Sequence, residues 1–270
     1  MKNVSVGCIG CGKMGSAIMS GVVHNPSVSS VIVTDKHHES AQNFAQTHAQ
    51  KVRAAQTNSE AAEADVIFIA VKPAYVQEVL AEVRQQLTDK KILISMAAGV
   101  TLAQLHEYIG VERNPAVIRI MPNLPALIGE SMTGVCSNAV PPESVAIALD
   151  LLNSCGKAEE VPESLMDGVT AISGSGPAYV FMFIEALADA AVKFGIPRKQ
   201  AYIYAAQTVK GSAQMVLQTG TSPAVLKDDV CSPAGTTIEG VAALEAAGLR
   251  SAVIQGAVAT YNKSVAMSKR

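Results

Sequence analysis

The apolar positions of this chain change rhythm once, and that change divides it. Up to about residue 160, short apolar runs alternate with longer amphipathic ones, the pattern of a parallel sheet crossed by helices. Residues 4–9, 31–34, 66–71, 92–96 and 117–121 read as strands. Between them, residues 14–23, 39–48, 75–87 and 102–108 carry apolar side chains at three- and four-residue spacing and read as helices. Pro141-Pro142-Glu143 opens a further helix that runs to Gly156, since Pro suits a first turn and Gly the position just past the end. Residues 158–161 read as a short strand that closes the sheet. From Glu163 onward only helices are predicted, over 178–194, 200–217, 237–247 and 252–267. They are rich in Ala and apolar around much of their circumference, so they are expected to pack against one another and against a partner. The pattern predicts a mainly parallel α/β domain over residues 1–163 and an all-helical domain over 164–270.

Charge and composition narrow what such a chain can do. Lys+Arg number 21 and Asp+Glu 23 in 270 residues, and aromatics are only 4%. That offers neither the basic face nor the stacking rings of a nucleic-acid binder. The hydrophobic fraction of 49% excludes disorder, and the charged fraction of 16% is low enough to suggest apolar surface covered by another subunit. Lys2 and the apolar run to Val23 resemble a secretory signal, but Gly7, Gly10, Gly12, Gly15 and Gly21 interrupt it and Lys13 sits inside it. No other stretch is expected to approach the ~20 apolar residues of a membrane span. The expectation is a soluble cytoplasmic protein. Cys8, Cys11, Cys136, Cys155 and Cys231 form an odd set without a disulfide framework, and Cys8 and Cys11 read as strand core and loop filler.

Gly10-Cys11-Gly12-Lys13-Met14-Gly15 is the densest chemical signal. It follows a predicted strand and opens a predicted helix at the start of a βαβ unit. The first glycine allows the tight turn, the second lets backbone approach a pyrophosphate, and the third lets helix and strand pack closely. Free N–H groups at the helix start would hold the phosphates. Asp35 falls twenty residues after Gly15, at the end of the second strand, where a carboxylate can bond a ribose 2′-hydroxyl. Lys36, His37 and His38 follow it and would offset its charge toward a 2′-phosphate, so the residues leave NAD and NADP open. His37 and His38 lack the further ligands of a metal site, and none is expected.

All five His (His24, His37, His38, His48 and His106) lie in the first half, which removes a His acid from the helical domain. That domain instead has hydroxyls beside glycines. Ser173-Gly174-Ser175-Gly176-Pro177-Ala178-Tyr179 and Cys231-Ser232-Pro233-Ala234-Gly235-Thr236-Thr237 each lead into a predicted helix. Hydroxyls and free amides at a helix start suit a carboxylate.

These segments, taken in order, resemble the pyrroline-5-carboxylate reductases. The likeness runs almost end to end. It takes in the Gly10 to Gly15 loop, Asn58, Ala70-Val71-Lys72-Pro73, Ser95-Met96-Ala97-Ala98-Gly99 and Arg119-Ile120-Met121-Pro122-Asn123-Leu124-Pro125. It continues through Thr170-Ala171-Ile172 and the Ser173 to Tyr179 segment, Leu226-Lys227-Asp228-Asp229-Val230, and Ser232 to Thr237. The resemblance implies a Rossmann domain with a mainly parallel sheet, then an all-helical dimerisation domain, in a homodimer that assembles further as a ring of dimers, a decamer. It implies a cyclic imine as substrate, no nucleic-acid or membrane partner, and NADPH slightly ahead of NADH.

By position, Gly10, Cys11, Gly12, Lys13, Met14, Gly15, Asp35 and Lys36 would hold the dinucleotide. Ala70, Val71, Lys72, Pro73, Ala97, Ala98 and Gly99 would line its nicotinamide side and Asn58 its adenosine side. Lys72 equally reads as a strand end, and Tyr179 as a packing residue rather than a proton donor. Ser232, Ala234, Gly235, Thr236 and Thr237 would hold the substrate carboxylate, with Thr237 the catalytic hydrogen-bond donor to the ring nitrogen. One departure stands out, because the family has glycine where Ala234 lies; its methyl group would crowd the substrate or demand a particular backbone angle. A protonated imine is already electrophilic at carbon, which suits a pocket without His. Two readings compete. A 3-hydroxyacid dehydrogenase of the 6-phosphogluconate type needs a Lys one helical turn past the glycines, where this chain has Tyr179 and Val180 and no Lys before Lys193. A non-catalytic NAD(P)-binding protein would bind without turnover.

Overall fold

The computed structural model describes residues 3–110 and 112–268. One eight-stranded sheet contains β1 (Val4–Ile9), β2 (Val28–Thr34), β3 (Val52–Ala54), β4 (Val66–Ile69), β5 (Ile92–Ser95), β6 (Ala116–Met121), β7 (Ser131–Ser137) and β8 (Gly156–Glu160). Its order is β3-β2-β1-β4-β5-β6-β7-β8, with every neighbouring pair parallel except β6 and β7. Helices α1 (Lys13–Val22), α2 (His38–Thr47), α3 (Asn58–Ala61), α4 (Val76–Glu82), α5 (Leu102–Ile109) and α6 (Pro142–Asn153) connect the strands.

The central strands β4 and β5 are buried at every residue, which is why they read as unbroken apolar runs. On one face Val6, Cys8, Phe68 and Ile94 pack in a core with Ile18, Met19, Leu151 and Leu152. On the other, Ile9, Ile67, Ile69 and Leu93 pack in a core with Leu80 and Leu105. Strand order reverses between β1 and β4, so the crevice beyond their C-terminal ends is the switch point where an open α/β sheet takes its ligand.

Several elements escape the apolar pattern. Strand β3 is three residues long, too short for a period to register. Strand β7 buries Ser131 and Thr133, whose hydroxyls bond one another at 3.0 Å, so its core positions look polar in the sequence. The helix expected over 75–87 is α4 alone, flanked by 3₁₀ turns at Pro73–Tyr75 and Arg84–Gln86.

The later part is helical: α7 (Met166–Val169), a π-helical turn at Thr170–Gly174, α8 (Gly176–Lys193), α9 (Arg198–Thr219), α10 (Pro223–Val230), α11 (Thr236–Ala246) and α12 (Leu249–Ser268). Two compact units result, one of Met1–Ser175 with Thr260–Arg270 and one of Gly176–Ala259. In the first, Ser264 Oγ donates to Asp167 Oδ1 at 2.5 Å, tying the last turns of α12 to α7. Glu163 Oε1 accepts from the backbone N–H of Leu102 at 2.8 Å and from the buried Arg119 at 3.0 Å, anchoring the start of the helical segment to α5 and β6.

The expectation that no stretch approaches a membrane span is corrected here. Glu163–Lys193 forms one helix long and apolar enough to cross a bilayer by length and composition. Gly174, Gly176 and Pro177 disguise it, because they read as a break that the chain absorbs in a π turn. In the second unit Phe181, Met182, Phe194, Ile203 and Ile254 are more than half exposed.

Gly7 lets α3 lie against β1, because a Cβ there would stand 1.9 Å from the carbonyl oxygen of Ala61. Gly7→Ala is therefore expected to destabilise the protein by about 3 kcal/mol through overpacking against backbone that cannot yield. Thermal unfolding checks this; an unchanged Tm would contradict the close packing.

Candidate active site

The crevice at the switch point is built by backbone approach. Gly10 has φ 109°, and a Cβ on it would lie 2.6 Å from the Ala70 carbonyl oxygen. A Cβ on Gly15 would lie 2.0 Å from the Gly10 carbonyl oxygen. The loop thus fits against the end of β4 only because both side chains are missing. Gly12 differs: it caps the start of α1 with an ordinary φ of −69°, and a Cβ there would meet nothing within 4 Å. The space over the second glycine is open, in front of the first amides of a ten-residue helix, and the residues fit a pyrophosphate.

Around this cradle stand the other residues expected to hold the dinucleotide. Asp35 follows β2; its Oδ2 accepts from the Cys11 backbone N–H at 2.7 Å and its Oδ1 from that of His37 at 2.8 Å. The Lys36 ammonium lies over the Tyr75 ring, 5.7 Å from its centroid. Ala70 and Val71 follow β4, with Lys72 and Pro73 exposed at the start of the next turn. Ala97, Ala98 and Gly99 follow β5; Gly99 has φ 77° and sits against Met267, with a Cβ-to-Cβ approach of 2.9 Å if it carried one. Asn58 begins α3, where its Nδ2 donates to Glu82 Oε2 at 2.8 Å. Lys13 and Met14 open α1. Cys8 and Cys11 are buried, and burial raises both thiols, Cys11 to about 12 with a further push from Asp35. Their Sγ atoms face the carbonyls of Gly10 and Thr34 at 3.4 and 3.7 Å, so Cys8 packs in the strand core and Cys11 in the loop as protonated thiols rather than as nucleophiles.

The structure adds a residue to this unit. Asn123, buried just past the end of β6, accepts at Oδ1 from Ser131 Oγ and from the Met132 backbone N–H, both at 3.1 Å. Its Nδ2 donates to the Ser173 carbonyl at 3.0 Å. One side chain therefore fixes β7 and the π turn to the sheet. Its place at a strand's C-terminal end was the available signal. The Ser173 segment is itself a correction. The sequence predicts that it opens a helix with free amides, yet it lies inside Glu163–Lys193. The Ser175 N–H is spent on the Thr170 carbonyl at 2.9 Å, and Ser173 Oγ contacts the carbonyls of Met132 and Val169. Tyr179, partly buried, lies within α8.

In the second unit, Ser232, Pro233, Ala234 and Gly235 form a turn closed by the Gly235 N–H on the Ser232 carbonyl at 3.0 Å. Pro at the second position and positive φ at the third are the marks of a type II turn. That third residue is Ala234, with φ 57°. The departure from glycine thus demands a left-handed backbone. Gly235 caps α11, and a Cβ on it would strike Ser232 Oγ at 2.3 Å. No side chain caps α11, so the first amides of the helix have no side-chain partner at its start. The turn brings Ser232, Ala234, Gly235, Thr236 and Thr237, the residues expected to take a carboxylate, together at the start of α11.

Residues 163–267 match the family model for pyrroline-5-carboxylate reductase dimerisation, and residues 5–99 that for NADP oxidoreductase, coenzyme F420-dependent. The chain is 47% identical over 267 residues to pyrroline-5-carboxylate reductase from Escherichia coli K12, covering 98% of each. It superposes on the Plasmodium falciparum pyrroline carboxylate reductase solved with NADP bound, at a TM-score of 0.88, with 35% identity and 99% of each chain covered. The Coxiella burnetii pyrroline-5-carboxylate reductase gives a TM-score of 0.90 with 32% identity, over 100% of this chain and 99% of that one.

Two substitutions separate strain from recognition. Ala234→Gly relieves a left-handed alanine and is expected to stabilise the protein by about 1 kcal/mol, read as a rise of roughly 2 °C in Tm; a fall would contradict the turn geometry. Gly12→Ala is expected to leave Tm unchanged and to weaken dinucleotide binding about tenfold or more, because its methyl group enters only the open space. Calorimetric titration with NAD⁺ and NADP⁺ checks the second.

Proposed function

Because this chain belongs to the pyrroline-5-carboxylate reductase family, we propose that it reduces the C=N bond of 1-pyrroline-5-carboxylate to L-proline, the last step of proline biosynthesis, at the expense of NAD(P)H. What carries this reading is that family membership extends through the whole chain, taking in both the glycine cradle and the 232–237 turn. The competing 3-hydroxyacid dehydrogenase reading falls with it. So does the non-catalytic binder, for which the intact hydroxyls of the turn would have no use.

We assign residues 1–163 to dinucleotide binding and residues 164–270 to substrate binding and dimerisation. Gly10, Cys11, Gly12, Lys13, Met14 and Gly15 would hold the pyrophosphate, Asp35 and Lys36 the ribose, and Asn58 the adenosine side. Ala70, Val71, Lys72, Pro73, Ala97, Ala98 and Gly99 would border the nicotinamide. When bound, NAD(P)H would supply a hydride to the carbon of the protonated imine; the C=N π pair becomes the lone pair of the ring nitrogen, which keeps its proton. The chain contributes placement. The amides and hydroxyls from Ser232 to Thr237 take the carboxylate, which fixes one face of the five-membered ring. Thr237 Oγ1 holds the ring nitrogen by a hydrogen bond. No His acid is needed on the helical segment, and orientation alone supplies on the order of 7 kcal/mol. Asn123 supports the site by fixing the π turn.

The dimerisation segment makes the enzyme an oligomer of a small-molecule reductase. We infer a homodimer in which the exposed Phe181, Met182 and Ile203 of one copy are covered by the other, and a ring of such dimers beyond it. Five free cysteines, four of them buried, suit the reducing cytoplasm, where we place it.

Loss of the reduced-nicotinamide absorbance on adding pyrroline-5-carboxylate, matched mole for mole by proline, is the expected result; dinucleotide binding without oxidation would overturn the reading. Thr237→Val is expected to lower kcat/KM about a hundredfold while leaving dinucleotide affinity unchanged, with Thr237→Ser restoring most of the loss. Equal kcat/KM in the Val variant would remove Thr237 from its role.

A further inference from the structure

We propose that Asp35 makes this enzyme select NADH over NADPH, an inference that rests on the reductase reading above. Its carboxylate is fixed from two sides. The Cys11 N–H of the glycine loop holds Oδ2 at 2.7 Å and the His37 N–H holds Oδ1 at 2.8 Å. Both donors are backbone, so the group cannot turn away without opening the loop or the turn that follows β2. An ionised carboxylate only accepts, and each oxygen keeps lone-pair capacity beyond the bond it makes. Hydroxyl donors on a ribose satisfy that capacity. A 2′-phosphate brings only acceptor oxygens and further negative charge to the same place.

An NADP site of this fold needs a cation to take the phosphate. Among the described residues no side-chain cation is bonded to the Asp35 carboxylate. Lys36 is adjacent in sequence, but its ammonium lies over the Tyr75 ring, on the turn after β4. Arg53, on the neighbouring strand β3, is engaged by Glu60 at 3.2 Å. Lys13 opens α1 and Lys72 precedes the 3₁₀ turn Pro73–Tyr75, both on the glycine-loop and β4 side of the crevice. His37 and His38 are exposed. The acidic wall is therefore not converted into a phosphate seat, against the lean toward NADPH that the family resemblance gave.

The test is calorimetric titration of the full-length protein with NAD⁺ and with NADP⁺. Wild type is expected to bind NADP⁺ about thirtyfold more weakly than NAD⁺. Asp35→Asn keeps an acceptor for one amide and loses the charge, so it should tighten NADP⁺ about tenfold and weaken NAD⁺ severalfold. Asp35→Ser serves as a second variant, with thermal unfolding to show that each is folded. Equal or tighter NADP⁺ binding by wild type, or a ratio unmoved in both variants, overturns the proposal. Turnover separates the two claims. Equal use of both reduced dinucleotides on the imine sinks the selection and leaves the reductase reading intact. Selective NAD⁺ binding with no imine reduction upholds the selection and sinks the reading.

Discussion

The structure depends on a steric constraint at the head of the sheet. The loop after β1 turns back into α1 while lying directly on the carbonyl of Ala70, and neither Gly10 nor Gly15 has room for a side chain there. This close approach sets the start of α1 against the ends of β1 and β4 and leaves Gly12 as the one loop glycine facing open space. The same geometry presents the Cys11 N–H to Asp35, so the tightness of the loop also orients the carboxylate proposed to meet the ribose.

The chemistry in the second unit follows a similar economy. The surface proposed for the substrate carboxylate is a turn and a helix start, with no ionisable side chain among Ser232 to Thr237. A protonated imine needs orientation more than it needs an acid, and amides held by secondary structure orient at little entropic cost. Ala234 occupies a position that backbone geometry would give to glycine, and the turn holds nonetheless because Pro233 and the Gly235 to Ser232 hydrogen bond fix its neighbours.

What the sequence discloses, and what it conceals, follows from the range of each signal. The long buried strands and the glycine loop are legible because burial and backbone approach restrict residue type locally. Asp35 is legible by its spacing from that loop. Strand β7 is not, since its buried Ser131 and Thr133 satisfy one another across a polar network. The helix through Glu163–Lys193 is misread because Gly174, Gly176 and Pro177 mark a break wherever a π turn does not absorb them. Asn123 shows the same limit: its three partners come from β7 and the π turn, elements whose nearness no local pattern encodes. The 232–237 turn is legible from its hydroxyls and Gly235, but the left-handed angle of Ala234 belongs to the folded chain alone.

In the proposed reading the open face of Gly12 receives the dinucleotide, and the amides and hydroxyls of the 232–237 turn receive the cyclic amino acid. The most direct test is a crystal structure grown with NAD⁺ and L-proline. The expected result is pyrophosphate density over Gly12 at the α1 amides, the proline carboxylate on the turn, and the ring nitrogen within hydrogen-bond distance of Thr237 Oγ1. Proline seated elsewhere, with the turn empty and the dinucleotide in place, would contradict it.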